Sequence, residues 1–275
     1  MAVEAYYEAE TVWTCEFDKF ASKIIEEKIG KPNYGDLKTT DWSKVEPIDI
    51  LTAGYPCQPF SHAGSRKGAD DERHLWPYIK EITRQFRPGH VILENVRGHF
   101  GLGFREVLSD LASIGYDARW TLIRASDVGA PHKRERLFIL AYPDSIPYDY
   151  AQRAYRGISG QASQEFDRAN RQEYRSSAEN VIYTNGNRQP YDRPVQELGQ
   201  RFTPRSDMHL QAVPVTLDKG RVNAKFIEYM MGLPPGWVTD VDISYAQQLK
   251  ILGNGVVPQQ AYRALEILNS YPQAI

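Results

Sequence analysis

Apolar runs of three to five residues alternate along this chain with longer stretches of helical period, and that alternation leaves few architectures open. Val12 to Cys15, Ile48 to Thr52, Val91 to Leu93 and Leu137 to Ala141 read as short buried strands. Phe17 to Ile29, Leu75 to Phe86 and Phe104 to Ile114 carry helical spacing between them, the last stopped by Gly115. Strands separated by helices predict an α/β fold, a doubly wound and mostly parallel sheet covered on both faces. Such sheets bind ligands at the carboxyl ends of their strands, so the residues just after each strand are the candidates for chemistry.

The chain has 275 residues, the size of one domain and a smaller satellite, and its 25% charged and 41% hydrophobic composition is that of a globular protein. No run approaches the roughly 18 apolar residues of a membrane span, and the first ten residues have neither a basic nor an apolar leader segment. Two cysteines, Cys15 and Cys57, suit a reducing compartment, so a cytoplasmic location is expected. The net charge of −2 is unevenly spread: residues 151–225 hold twelve Lys and Arg, ten of them Arg, against eight Asp and Glu. That stretch is rich in Gln, Asn, Arg and Tyr. Such side chains meet phosphates and base edges, and they equally fill solvated loops.

The first predicted strand runs into Glu16, Phe17 and Asp18. An acid there can accept both hydroxyls of a ribose and the neighbouring ring can cover a purine, although a solvated turn acid has the same look. Asp36 and Leu37, in Asn33 to Leu37, are as ambiguous. The run Gly54 to Ser61 is more specific. Pro56 and Pro59 flank Cys57 and Gln58, blocking continuation of strand or helix and presenting the thiol at a strand's carboxyl end, a posture for a nucleophile. A Gly-rich basic loop follows, with Ser65, Arg66 and Lys67. Cys15, inside its strand, reads instead as a small buried hydrophobe. Glu94, again at a strand end, has the placement of a proton donor if partly desolvated. Ala130 to Arg136, with His132, Lys133, Arg134 and Arg136, resembles a clamp for an anion or polar substrate.

Taken in order, the Pro-Cys-Gln loop at Gly54 to Ser61, Glu94-Asn-Val96, Arg134-Glu-Arg136 and Leu252-Gly-Asn-Gly-Val-Val-Pro258 make the chain resemble the DNA (cytosine-5)-methyltransferases. The resemblance covers nearly all of it outside the polar stretch. It implies a Rossmann-like methyltransferase sheet and transfer of a methyl group from S-adenosylmethionine to cytosine C5 in double-stranded DNA, as in restriction-modification, with no metal. By that resemblance Cys57 is the thiolate that attacks C6 of a flipped base. Glu94 holds N3 and the exocyclic amine, and Arg136, with Arg134 nearby, orients the base. For the donor, Glu16 takes the ribose, Phe17 an adenine face, Asp36 and Leu37 the adenine edge, with Pro56, Asn254, Gly255 and Val256 also at its site. Gln58, Ser61, Ser65, Arg66, Lys67 and Arg73 belong to the DNA-facing loop. The implied organisation is a catalytic domain over 1–145, a target-recognition region over 146–224 and a segment packing back over 225–275, acting as a monomer.

The sequence departs from the family at its start. The expected first strand and Gly-rich turn are absent, and Met1 to Glu8 reads as the end of the helix that should follow. A sheet without that central strand would leave backbone groups unpaired on two neighbours, each costing about 1–3 kcal/mol if buried. The expectation is therefore roughly ten to twenty further residues upstream, enough for a strand and a turn, and weak donor binding without them. A DNA-binding remnant of the family and a thiol enzyme acting on another pyrimidine remain open alternatives. His74 and His132 stand where Gly and Gln are common, and both could meet phosphate.

Overall fold

The computed structural model describes residues 1–56, 75–144, 214–217 and 220–270. They fall into two compact units. One comprises Met1–Glu46, Leu122–Arg136 and the described residues between Tyr191 and Glu266; the other comprises Pro47–Thr121, the described residues between Leu137 and Pro190, and those from Ile267 on.

The second unit holds most of the sheet. Strand β1 is Ile50–Gly54, followed by helix α3 (Trp76–Phe86), β2 (His90–Val96), α4 (Phe104–Ser113), β3 (Tyr116–Ile123) and β4 (Arg136–Pro143). The strand order is β1-β2-β4-β3, and β1 runs parallel to β2 with Gly54 opposite Glu94. Every residue of β4 after Arg136 is buried, as are His90 to Leu93 of β2, the pattern of strands covered on both faces. Helix α3 buries Trp76, Ile79, Ile82 and Thr83, and α4 buries Phe104, Val107 and Leu111, spacings that set one stripe inward. Trp76 Nε1 and Lys80 Nζ both donate to Asp110, at 2.8 and 2.6 Å, which ties the two helices. Gly115, at φ 77°, ends the α4 turn as its sequence position predicts.

The first unit is mainly helical: α1 (Ala2–Tyr7), α2 (Lys19–Lys28), α5 (Ala224–Met230), α6 (Tyr245–Asn254) and α7 (Pro258–Ser270, which continues past Glu266). Asp18 caps α2 by accepting from the backbone N–H of Phe20 and Ala21. Ile24 of α2 packs with Ala224, Val238, Val241 and Leu252 in one apolar cluster, which joins α2, α5 and α6. Fully burying each Val, Leu or Ile side chain contributes about 1.5–3 kcal/mol.

Two strand expectations need correction. Val12 to Cys15 is no strand; Thr14 makes only a single parallel bridge to Asn33. Beyond that bridge the Glu16 backbone bonds to the side chain of Asn33. Conversely, β3 was not expected, because it lies at the end of the sheet order with Asp117 and Leu122 exposed and most of its middle half-buried, and its polar residues dilute the apolar signal. Among the described residues no helix is long and apolar enough to cross a membrane.

Candidate active site and donor site

In the second unit, β1 delivers the chain to Tyr55 and Pro56. Pro56 is exposed, whereas Tyr55 is buried and held three ways. Asn95 Nδ2 donates to its carbonyl at 3.0 Å, its hydroxyl lies 3.1 Å from His99 Nε2, and its ring packs on Trp76 with centroids 5.7 Å apart. Burial pushes the His99 imidazole below its usual pKa, favouring the neutral ring that shares a hydrogen bond with a phenol. Glu94 is half-buried two residues before the end of β2, directly across from Gly54. A side chain at position 54 would place its Cβ 3.3 Å from Glu94 Oε2, so glycine leaves room for that carboxylate at the carboxyl end of β1. Cys57, Gln58, Ser61, Ser65, Arg66, Lys67, Arg73 and His74 lie outside the described residues.

The first unit gathers the residues expected around the donor. Glu16 is half-buried, and its Oε1 accepts from the backbone N–H of Asp18 at 2.8 Å, which folds the acid over the start of α2. Beside it the ring of Phe17 is 75% exposed, the highest value among the described exposed large apolar side chains. Asp36 turns the chain by accepting from Lys38 N–H through its carboxylate and from Thr39 and Thr40 N–H through its carbonyl. Leu37 is half-buried and its carbonyl accepts from Trp42 Nε1 at 3.2 Å.

Asn254 and Gly255 close α6, with Val256 next in the chain. Lys250, one helical turn before Asn254, pairs with Asp18 at 2.9 Å and, with the two capped N–H groups, holds the Asp18 carboxyl below its usual range. The turn after Glu16 and the end of α6 are thus joined by one ion pair. Arg134 is tied to the same helix end: its Nη2 donates to the carbonyls of Gly253, at 2.8 Å, and Gly255. Its backbone sits at φ 25°, and Gln260, fully buried on α7, donates to its carbonyl at 2.7 Å. Arg136 is half-buried and donates to the carbonyl of Glu135 at 3.1 Å. His132, expected near phosphate, has Nε2 at 2.9 Å from the carbonyl of Met230.

The structure therefore collects Glu16, Phe17, Asp36, Leu37, Arg134, Asn254 and Gly255 in one unit, and Pro56 and Glu94 in the other. Sequence reading assigned no role to Tyr55, Asn95, His99, Lys250 or Gln260: Asn95 and His99 hold Tyr55, Lys250 holds Asp18 and Gln260 holds the Arg134 carbonyl. Tyr55 and Asn95 lie inside the motifs, whereas His99, Lys250 and Gln260 show in the sequence only polar character, which a solvated surface shares.

The chain is 38% identical over 147 residues to the type II methyltransferase M.NgoBI of Neisseria gonorrhoeae, covering 52% of this chain and 46% of that protein. It is 32% identical over 143 residues to the type II methyltransferase M.HhaI of Haemophilus parahaemolyticus, covering 50% and 44%. The alignments thus span about half the length of these curated relatives. Among solved structures, the S. pombe Dnmt2 methyltransferase shares the fold with a TM-score of 0.59 at 18% identity, over 98% of this chain and 95% of that one. The sequence model of the C-5 cytosine-specific DNA methylases matches residues 2–227, more than half of the chain, and the protein belongs to that family.

Proposed function

We propose that the protein methylates carbon 5 of cytosine in double-stranded DNA, using Cys57 as a nucleophile toward C6 of a base turned out of the helix. The observation that carries this reading is the placement of the Glu94 carboxylate over Gly54, three residues before Cys57 in the chain. Addition of the Cys57 sulfur to C6 breaks the ring's aromaticity and places electron density on C5. Glu94 holds N3 and the exocyclic amine, so that the ring accepts this charge; once C5 carries the methyl group its proton passes to solvent water, the C5–C6 double bond re-forms and the C6–sulfur bond breaks to return the Cys57 thiolate. Arg136 orients the base. Arg134, with its guanidinium on the carbonyls of Gly253 and Gly255, acts as a positioning residue for Asn254 rather than touching the base itself.

The residues of the first unit suit S-adenosylmethionine, which supplies the methyl group as an electrophile. A half-buried carboxylate next to an exposed ring fits a nucleoside, with Glu16 taking hydroxyls and Phe17 a purine face. Asp36, Leu37, Asn254, Gly255 and Val256 complete that site. The basic stretch within residues 146–224 and the loop residues Gln58, Ser61, Ser65, Arg66, Lys67 and Arg73 contact DNA, and the protein works as a monomer wherever its DNA is held.

Incubation with duplex DNA carrying 5-fluorocytosine tests the reading. Fluorine at C5 cannot leave as a proton does, so a donor-dependent covalent complex is expected, and Cys57→Ala is expected to bind the duplex without forming it. Salt-sensitive binding with no complex in the unaltered protein would identify a DNA-binding remnant instead.

A further inference from the structure

We infer that Asn33 is a positioning residue for the donor site, its side chain replacing one rung of a parallel ladder so that Glu16 is fixed while the chain turns away at Gly35. The inference rests on the reading of Glu16 and Asp36 as donor-binding.

The ladder begins normally. Thr14 N–H donates to the carbonyl of Pro32 at 2.8 Å, and Tyr34 N–H donates to the carbonyl of Thr14 at 2.9 Å. Continuing the parallel pattern would bring the Glu16 backbone against Tyr34 and Asp36. Instead the Asn33 amide takes both Glu16 positions: its Oδ1 accepts from Glu16 N–H at 2.9 Å and its Nδ2 donates to the Glu16 carbonyl at 3.0 Å. A side-chain amide carries one acceptor and one donor in a plane, as a peptide group does, and can therefore stand in for a backbone rung. The same Oδ1 also accepts from Gly35 N–H at 3.3 Å, and Nδ2 donates to Ser22 Oγ at 3.0 Å, whose hydroxyl donates to the Glu16 carbonyl at 2.8 Å.

Two consequences follow for the site. The backbone of Glu16 is held from both sides, which fixes where its carboxylate and the adjacent Phe17 ring begin. The segment after Asn33 is released from the ladder, and Gly35, at φ 73°, bends it so that Asp36 and Leu37 form a turn instead of a strand. One side chain thus sets the relation between the two acids. Asp at this position would keep the acceptor and lose the donor, bringing an oxygen against the Glu16 carbonyl; Ala would lose both.

The test measures the affinity of the full chain for S-adenosylhomocysteine by calorimetry in Asn33→Ala, Asn33→Asp and Glu16→Ala, with DNA affinity, kcat at saturating donor and Tm measured in parallel. Asn33→Ala loses four exposed hydrogen bonds, of which the two on the Glu16 backbone bear on the site, and a Kd for the nucleoside raised about fivefold to thirtyfold is expected. Asn33→Asp should be at least as weak, since the missing donor, and not only the acceptor, matters. DNA affinity and kcat at saturation should stay within about twofold of the parent values. Weakened binding in Glu16→Ala together with parental affinity in both Asn33 variants overturns the positioning role alone. So does an Asn33→Asp variant that binds like the parent, or a general fall in Tm, DNA affinity and kcat. Parental affinity in Glu16→Ala overturns the donor-site reading and this inference with it.

Discussion

Glu228 offers the sharpest test of the energetics that hold the first unit together. Its side chain lies on α5 at 2% exposure, and four donors converge on the carboxylate. Oε2 accepts from Gly236 N–H at 2.8 Å and Thr239 Oγ1 at 2.9 Å; Oε1 accepts from Val238 N–H at 2.6 Å and Thr239 N–H at 3.0 Å. Hydrogen bonds to a charged group contribute about 1.5–3 kcal/mol each, and a buried N–H left without a partner costs about 1–3 kcal/mol. Glu228→Gln can keep the two bonds at Oε1, and Thr239 can rotate its hydroxyl to accept from the new amide. Gly236 N–H then faces a donor and loses its partner. The expected loss is one charged bond with its orphan, about 2–3 kcal/mol. Glu228→Ala orphans three N–H groups and opens a cavity, so a loss of about 4–5 kcal/mol is expected. Because the protein has two units, a single melting curve is a poor readout, and hydrogen exchange at the amides of Val238 and Thr239 reports the local opening directly. Glu228→Gln should speed exchange there about 30- to 150-fold, given that 1.4 kcal/mol is a factor of ten. A change of less than about threefold at both amides, with α5 and α6 still formed, would refute this account of the loop's anchoring.

Three further outcomes are expected. Burial, reinforced by the negative charges of Asp36 and Glu16, pushes the Cys15 thiol up to about 11, against the hydrogen bond to Thr40 that lowers it. In a Cys57→Ala background, Cys15 should therefore resist iodoacetamide at pH 8, where only about one molecule in a thousand carries its thiolate; rapid mass gain would contradict that burial. Desolvation holds His90 at about 4, below its ordinary 6.5, so between those values the unfolded chain takes up a proton that the folded chain does not. Stability should fall as pH drops through that window by up to about 1.4 kcal/mol per unit, and His90→Phe should flatten the curve; parallel curves for the two proteins would count against it. Removing the hydroxyl in Tyr55→Phe strands a buried His99 nitrogen, with an expected loss of about 1–2 kcal/mol in urea unfolding. Pairing it with His99→Phe should recover part of that loss, and strict additivity of the two losses would show that they do not interact.

Much of the architecture was legible along the chain because it depends on local period. β1, β2, β4, α2, α3 and α4 fall close to the runs that alternation and helical spacing mark, since one-dimensional patterning records which faces are buried. β3 escaped because an edge strand need not be apolar, and Val12 to Cys15 misled because its side chains are only half-buried and its backbone makes a single bridge at Thr14.

For the site, the motif order Cys57, Glu94, Arg134, Arg136 and Asn254 was readable in sequence, and with it the family. What no sequence pattern contained was the set of pairings that orient the residues of these segments. Asn33 on the Glu16 backbone, Lys250 on Asp18, Arg134 on Gly253 and Gly255, and Asn95 with His99 on Tyr55 are pairings between segments 17 to 232 residues apart. A chemical group announces its reactivity by its type and its neighbours in the chain. Its orientation is set by hydrogen-bond partners that only folding brings within about 3 Å, and that part is decided in three dimensions.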